Sequence, residues 1–345
     1  MRILILGGSV FVGRALTDAA LARGHEVTHF NRGKSAPDEP RVATLHGDRT
    51  EAAALENALY GKSWNAVIDT SGYLPQVVKL SAQALRGRVG RYLFVSTISV
   101  YAGFDMDSYD EDSPVSPPPD PLLEALDMAL YGPLKAGCEQ AVREQFGERA
   151  TIVRPGLIVG PHDPTDRFTY WPERIARGGE VLAPGRPARN VQFIDVRDVA
   201  EWMVRLLENN VGGTINAIGP RHPTTMEQVL EACRDAGASD ARLAWIDDAS
   251  LLAAGAGPWK ELPLWIPESD PATRGHSAGS LDRALAHGLE FRPLADTVAD
   301  TLAWSRTRAA GHAWKAGLTP ERERALLESV RTGSGPSTAP PPRAG

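Results

Sequence analysis

The chain has 345 residues, of which 42% are hydrophobic and 23% charged, with a net charge of −6, the make-up of a globular protein long enough for a large α/β domain and a smaller partner. An acidic balance without a dense Lys/Arg stretch argues against nucleic acid as the main partner. Two cysteines, Cys138 and Cys233, build neither a disulfide framework nor a cysteine-rich zinc site, and scattered histidines offer no ligand spacing, so no metal is expected.

No apolar stretch approaches the roughly 20 residues of a membrane span. The opening run Ile3 to Leu6 is too short for the core of a secretion signal. A cytoplasmic protein with no membrane partner is the expectation.

Through the first half, short apolar runs alternate with helical patterns, the βαβ rhythm of a parallel sheet with helices on both faces. Strands are predicted at 2–6, 26–30, 42–46, 66–69, 91–96 and 151–153, and helices at 13–23, 51–60, 76–86 and 131–146. Gly24 is a natural stop for the first helix. From Asp105 to Pro121 the chain turns acidic and proline-rich, which predicts a long loop.

A second irregular stretch spans Asp163 to Arg189. Val191 to Asp195 is then predicted as a buried strand of the same sheet, leading into a helix from Val199 to Asn209. The C-terminal third predicts helices at 225–236, 280–286, 295–308 and 321–331. Residues 332–345, rich in Gly, Ser and Pro, predict a disordered tail.

Gly7-Gly8-Ser9-Val10-Phe11-Val12-Gly13 follows the first strand and opens the first helix, the context in which a glycine turn acquires meaning. Gly7 permits the tight turn and Gly13 lets helix and strand pack closely, so backbone N–H groups can face a pyrophosphate. Val10 stands where the middle glycine of the usual pattern would be, which predicts a looser or shifted approach to the phosphates. A strand-turn-helix also needs glycines simply to turn, but a full βαβ unit behind this one favours a dinucleotide.

The second strand ends at Asn31-Arg32-Gly33-Lys34, where such a fold reads the adenosine ribose. The acid expected for NAD is absent. Arg32 and Lys34 offer cations for a 2′-phosphate, so NADP(H) is expected over NAD(H); otherwise they are solvated loop charges. Asp48 is placed to accept from the adenine amino group or to cap a helix. Thr70, Ser71 and Gly72, after the fourth strand, pack against the cofactor or form a capped turn.

Tyr131 and Lys135 stand four residues apart, on one face of a helix whose first turn tolerates Pro133. A neighbouring ammonium lowers a phenol's pKa from about 10 and makes it a usable proton donor and acceptor. Tyr-x-x-x-Lys arises by chance in many helices. It gains weight from Ser96-Thr97-Ile98-Ser99-Val100-Tyr101 at the carboxyl end of a strand, whose hydroxyls point into the crevice where ligands bind.

On Gly7 to Gly13, Asp48, Ser96 to Tyr101, Tyr131 to Lys135, Arg154-Pro155 with Gly160-Pro161, and Phe193 to Ala200, the chain resembles an extended short-chain dehydrogenase/reductase of the NAD-dependent epimerase/dehydratase superfamily, over roughly Met1 to Trp304. The resemblance implies an α/β fold, a Rossmann doubly wound parallel sheet with a smaller, mostly C-terminal α/β substrate domain. The nucleotide domain is expected at 1–162 and 190–218, and the substrate region at 163–189 and 219–331. It further implies a catalytic triad of Thr97, Tyr131 and Lys135, with Lys135 also on the nicotinamide ribose, Ser96 and Pro155 beside the cofactor, and a homodimer.

The form of the glycine turn is also similar to an atypical branch that includes chloroplast stem-loop-binding proteins. This chain departs from that branch in keeping the Tyr-Lys pair with a hydroxyl at position 97. Ser99, Tyr131, Tyr170 and Trp265 are the candidate substrate contacts. For Tyr170 and Trp265 core packing is the competing reading. Three functions follow: reversible carbonyl/alcohol redox on a small molecule with NADP(H), a sugar-nucleotide epimerase or dehydratase with tightly held cofactor, and a non-catalytic NADP-sensing or RNA-binding protein.

Overall fold

The computed structural model describes residues 1–119, 125–309 and 311–332. The expected tail lies outside them except for Thr332, which is helical. Along the chain run β1 (Arg2–Leu6), α1 (Phe11–Ala22), β2 (Glu26–Asn31), β3 (Ala43–His46), α2 (Ala52–Leu59), β4 (Trp64–Asp69), α3 (Pro75–Leu85), β5 (Val89–Val95), α4 (Tyr131–Phe146), β6 (Ala150–Pro155), β7 (Ile158–Val159), α5 (Tyr170–Ala176), β8 (Glu180–Pro184), β9 (Asn190–Val191), β10 (Ile194–Asp195), α6 (Val196–Glu208), β11 (Gly213–Ala217), β12 (Thr224–Thr225), α7 (Met226–Gly237), β13 (Arg242–Ile246), α8 (Asp248–Ala253), α9 (Asp282–Ala286), α10 (Leu294–Ser305) and α11 (Pro320–Thr332). They group into two units: Met1–Ile158, Gln192–His222 and Gly275–Arg292 form the first, and Val159–Val191, Pro223–Arg274 and the residues from Pro293 on form the second.

The first unit is a seven-stranded sheet in the order β3-β2-β1-β4-β5-β6-β11, parallel throughout. The inner strands are buried on both faces, which is why β1 reads Ile-Leu-Ile-Leu rather than alternating with polar residues. Ile3 and Ile5, with Val27, Ile68 and Leu93, pack on Leu16 and Ala20 of α1 and on Trp202, Met203 and Leu206 of α6. Leu4 and Leu6, with Phe30, Val67 and Phe94, pack on Leu55 of α2, Val78 of α3 and Val142 of α4. The strand order reverses at β1, so a crevice opens past the carboxyl ends of β1 and β4, where open α/β sheets bind ligands.

Two expectations change here. Val191 to Asp195 is not a strand of this sheet: it divides into β9 and β10, and α6 begins directly after Asp195, whose carboxylate accepts from Arg197 N at 2.9 Å as the N-cap. The seventh strand is β11, paired with β6 from Gly213↔Thr151 to Ala217↔Pro155. Residues 275–292, expected in the substrate region, join the first unit, where Ser280 N donates to Tyr109 O at 2.7 Å.

In the second unit β8 pairs in parallel with β13 and β9 pairs antiparallel with β12. Thr225 and Gln228 cap α7 reciprocally, side chain to backbone in both directions. Glu323 of α11 accepts from Leu182 N of β8 at 3.0 Å and from Arg174 of α5 at 2.6 Å, joining helix to strand through a buried charge. No helix among the described residues is long and apolar enough to cross a membrane.

Candidate active site

The glycine turn leaves β1 with Gly7 N donating to Phe30 O at 3.0 Å, and Gly7 and Gly8 then take φ of 108° and 94°, a region that glycine alone enters freely. Space excludes side chains as firmly. A Cβ at Gly7 would lie 2.4 Å from Thr70 Oγ1, one at Gly8 2.6 Å from the His29 ring, and one at Gly13 2.6 Å from Gly8 Cα. Val10 holds an ordinary extended conformation, exposes its side chain and precedes α1 without a side-chain cap. The turn is therefore a bare backbone cradle at a helix start, which fits a dinucleotide pyrophosphate.

His29 is a residue the sequence patterns did not single out. Its Nε2 lies 2.8 Å from Thr17 Oγ1, and that hydroxyl donates in turn to Gly13 O at 2.8 Å, so Nε2 carries the proton. Burial keeps the imidazole neutral by lowering its pKa. The ring fills the floor under Gly8.

At the end of β2, Asn31 Oδ1 accepts from Gly33 N at 2.7 Å, which turns the chain and leaves Arg32 and Lys34 exposed. Asp48 accepts from Thr50 N at 2.9 Å and Thr50 Oγ1 at 2.8 Å, capping its own turn. Those bonds, with the charges of Arg32 and Lys34, hold its carboxyl below the usual range.

After β4, Thr70 and Ser71 donate their hydroxyls to Leu6 O at 3.0 and 3.2 Å, tying this loop to the glycine turn. Beneath them Asp69, fully buried, takes both arms of Arg49 at 2.7 Å each and the Tyr92 hydroxyl at 2.7 Å. Burial works against the Asp69 charge, but Arg49 outweighs it and the carboxyl stays below its usual range. Arg49 also reaches Ser71 Oγ at 2.9 Å. It lies beside Asp48 in sequence, and nothing local distinguishes it from a surface arginine.

The segment after β5 meets the first turn of α4 closely: a Cβ on Gly132 would lie 2.0 Å from Ser99 O. This brings Tyr131, the first residue of α4, beside the turn that carries Thr97 and Ser99. Thr97 Oγ1 accepts from Ser99 N and donates to Ser99 Oγ, both at 3.1 Å. Ser99 itself is exposed.

One helical turn on, the buried Lys135 ammonium donates to Val95 O at 2.7 Å and Gly72 O at 2.8 Å, 4.1 Å above the Phe94 ring. Burial drops its pKa to about 8. The Tyr73 ring lies 5.5 Å from this ammonium and 6.5 Å from the Tyr131 ring, a neighbour absent from the sequence expectations.

Three expected contacts sit elsewhere. Ser96 donates to Glu139 Oε1 at 2.6 Å, inside a buried cluster in which Arg154 grips the same carboxylate at 2.9 and 2.8 Å. Tyr170 is 3% exposed and Trp265 0%, with the Trp265 indole N–H donated to Asp248 at 2.8 Å, so both are core side chains of the second unit. Pro155 is buried at the end of β6. A cavity of about 410 Å³, lined by Arg143, Gly147 and Gly212 among others, opens at the opposite edge, where β6 and β11 begin.

The model of the NAD dependent epimerase/dehydratase family matches residues 3–83 and 74–219. Among curated proteins the chain is 25% identical over 254 residues to the chloroplast stem-loop binding protein of 41 kDa b of Arabidopsis thaliana, covering 68% of this chain and 63% of that one. It is 36% identical over 271 residues to a 3 beta-hydroxysteroid dehydrogenase/Delta 5→4-isomerase of Mycobacterium tuberculosis, covering 67% and 69%. Among solved structures it superposes on the Bordetella bronchiseptica enzyme WbmH in complex with NAD+ with a TM-score of 0.65 at 18% identity, over 89% of this chain and 98% of that one. At that identity the likeness is one of fold.

Proposed function

Because the chain belongs to the NAD dependent epimerase/dehydratase family, and so to the NAD(P)-dependent short-chain dehydrogenase/reductase class, we propose that it interconverts a carbonyl and an alcohol on a small molecule with NADP(H). When bound, the nicotinamide supplies or accepts the hydride. Tyr131 gives its phenolic proton to the carbonyl oxygen in reduction and takes it back in oxidation. Lys135, with two of its three N–H donors on carbonyls, points its charge at that region and favours the phenolate. Thr97, through its bond to the exposed Ser99, orients a hydroxyl toward the substrate oxygen.

A buried ammonium one turn from Tyr131, held by the carbonyl of Val95 at the end of β5 and that of Gly72 in the loop after β4, is the observation that carries this reading. Such a charge is costly to bury and gains nothing for packing alone. For the cofactor, the exposed Arg32 and Lys34 after β2, with no acid within the Asn31–Lys34 turn itself, favour the 2′-phosphate. The same residues suit an epimerase or dehydratase, as the family includes, and cofactor consumption separates the two. The net charge of −6 and the buried Lys135 both count against a purely RNA-binding role.

The test is turnover of carbonyl compounds with NADPH by the wild-type chain and by Tyr131→Phe. We expect stoichiometric NADPH oxidation, a loss of at least about a hundredfold in kcat for the variant, and unchanged NADPH binding. Product formed without net NADPH loss would instead identify epimerisation or dehydration, and full activity in Tyr131→Phe would end the assignment.

A further inference from the structure

We propose that this site takes an uncharged, largely apolar carbonyl or hydroxyl compound and not a nucleotide-linked sugar, an inference that rests on Tyr131 as the acid–base group. In a parallel sheet all loops that follow strands emerge at one edge, and here that edge carries Tyr131. The loops after β1, β4 and β5 expose Val10, Tyr73, Val115, Leu126 and Met128, with Tyr73 44% and Met128 68% accessible. Met128 lies in the 3-10 turn that runs directly into Tyr131. Val115 bridges Tyr101, at the end of the turn bearing Thr97 and Ser99. Tyr73 faces Tyr131 at 6.5 Å. Large apolar side chains left in water beside a reacting group, as Tyr73 and Met128 are beside Tyr131, mark a surface that a ligand covers.

Charge points the same way. Among the described residues between Tyr92 and Leu134 there is no Lys or Arg and there are six carboxylates, Asp105, Asp107, Asp110, Glu111, Asp112 and Asp127. A diphosphate is normally held by charge-assisted bonds from Arg or Lys. Four of the described cations near these loops are engaged: Arg49 by Asp69, Lys135 by two carbonyls, Arg154 by Glu139, and Arg283 by Asp112. Two of the acids are engaged too, since Asp127 caps Ala129 N at 2.9 Å and Glu111 accepts from Asn216 N at 2.8 Å. The rim therefore repels a dianion and offers an apolar ligand a wall of matching chemistry.

Calorimetric titration of the NADP-loaded full chain with a medium-chain methyl ketone and with UDP-glucose tests this. Saturable ketone binding, no UDP-glucose binding, and a loss of about tenfold in ketone affinity for Met128→Lys, with NADP binding and oligomeric state unchanged, are expected. Leu126→Lys is the second variant, and far-ultraviolet circular dichroism reports that each is folded. Tighter binding of UDP-glucose than of the ketone, absence of saturable ketone binding, or variants that alter only the oligomeric state overturn the proposal. Binding is read without turnover, so a ketone that binds but is not reduced refutes the acid–base reading and leaves the substrate class standing.

Discussion

Lys135 shows how one side chain carries both chemistry and a cost. Burial lowers its pKa to about 8, against an ordinary value of 10.5. On the proposed reading, the Lys135 ammonium below about pH 8 favours ionisation of the Tyr131 phenol, and the neutral amine above it does not. We expect kcat/KM to fall about tenfold per unit as pH rises past 8, a limb that a pH–rate profile reads directly.

Stability moves in the opposite sense. Between pH 8 and 10.5 the unfolded chain keeps a proton that the native chain has released, so native stability rises with pH by up to about 1.4 kcal/mol per unit. Urea unfolding of wild type and Lys135→Met at pH 8 and pH 9 should show that gain in the wild type alone. At this scale the sequence revealed Tyr131, Lys135 and the glycines, because their spacing is local. It did not reveal Arg49, His29 or Tyr73, whose roles depend on partners 20, 12 and about 60 residues away.

Helices and strands set where those side chains meet. Gly132 sits in α4 with ordinary helical geometry, so its glycine answers to space and not to backbone freedom: Ser99 O occupies the place of a Cβ. Gly132→Ala should force α4 away from the 98–100 turn, cost about 1–3 kcal/mol and depress kcat. Gly24→Ala, at φ 74° with open space around it, should lose stability without touching kcat; denaturation and kinetics of both variants separate the two effects.

Gly24 also shows what local patterns reveal. Its N–H donates to Leu21 O at 2.9 Å and that of His25 to Ala20 O at 3.0 Å, closing α1 as the sequence indicated. The strand β11 was missed for an equally physical reason. It opens on Gly213 and carries Thr214 and Asn216, which read as a turn, yet Asn216 is fully buried with its N–H on Glu111 and its Oδ1 on Tyr101.

For the molecule as a whole, stability depends on cofactor if the bare glycine cradle and the cationic end of β2 hold it as proposed. At free NADPH a hundredfold above Kd the native state gains about 2.7 kcal/mol, which a thermal melt reads as a Tm shift. At equal concentration NADPH should shift Tm more than NADH, and Arg32→Ala with Lys34→Ala should remove the difference. Equal shifts in the wild-type chain would contradict the expected preference.

The order of residues by itself determined the parallel βαβ sheet, the glycine turn and the Tyr131–Lys135 spacing, since short apolar runs, the three-to-four-residue period of helices and positive φ act over a few neighbouring positions. Only the tertiary structure decided that Ser96 bonds Glu139 beside Arg154, that Tyr170 and Trp265 belong to a core, and that the Tyr73 ring stands 6.5 Å from that of Tyr131. Buried polar partners are joined across the sheet, and their bonds outweigh desolvation only once folding has brought them together.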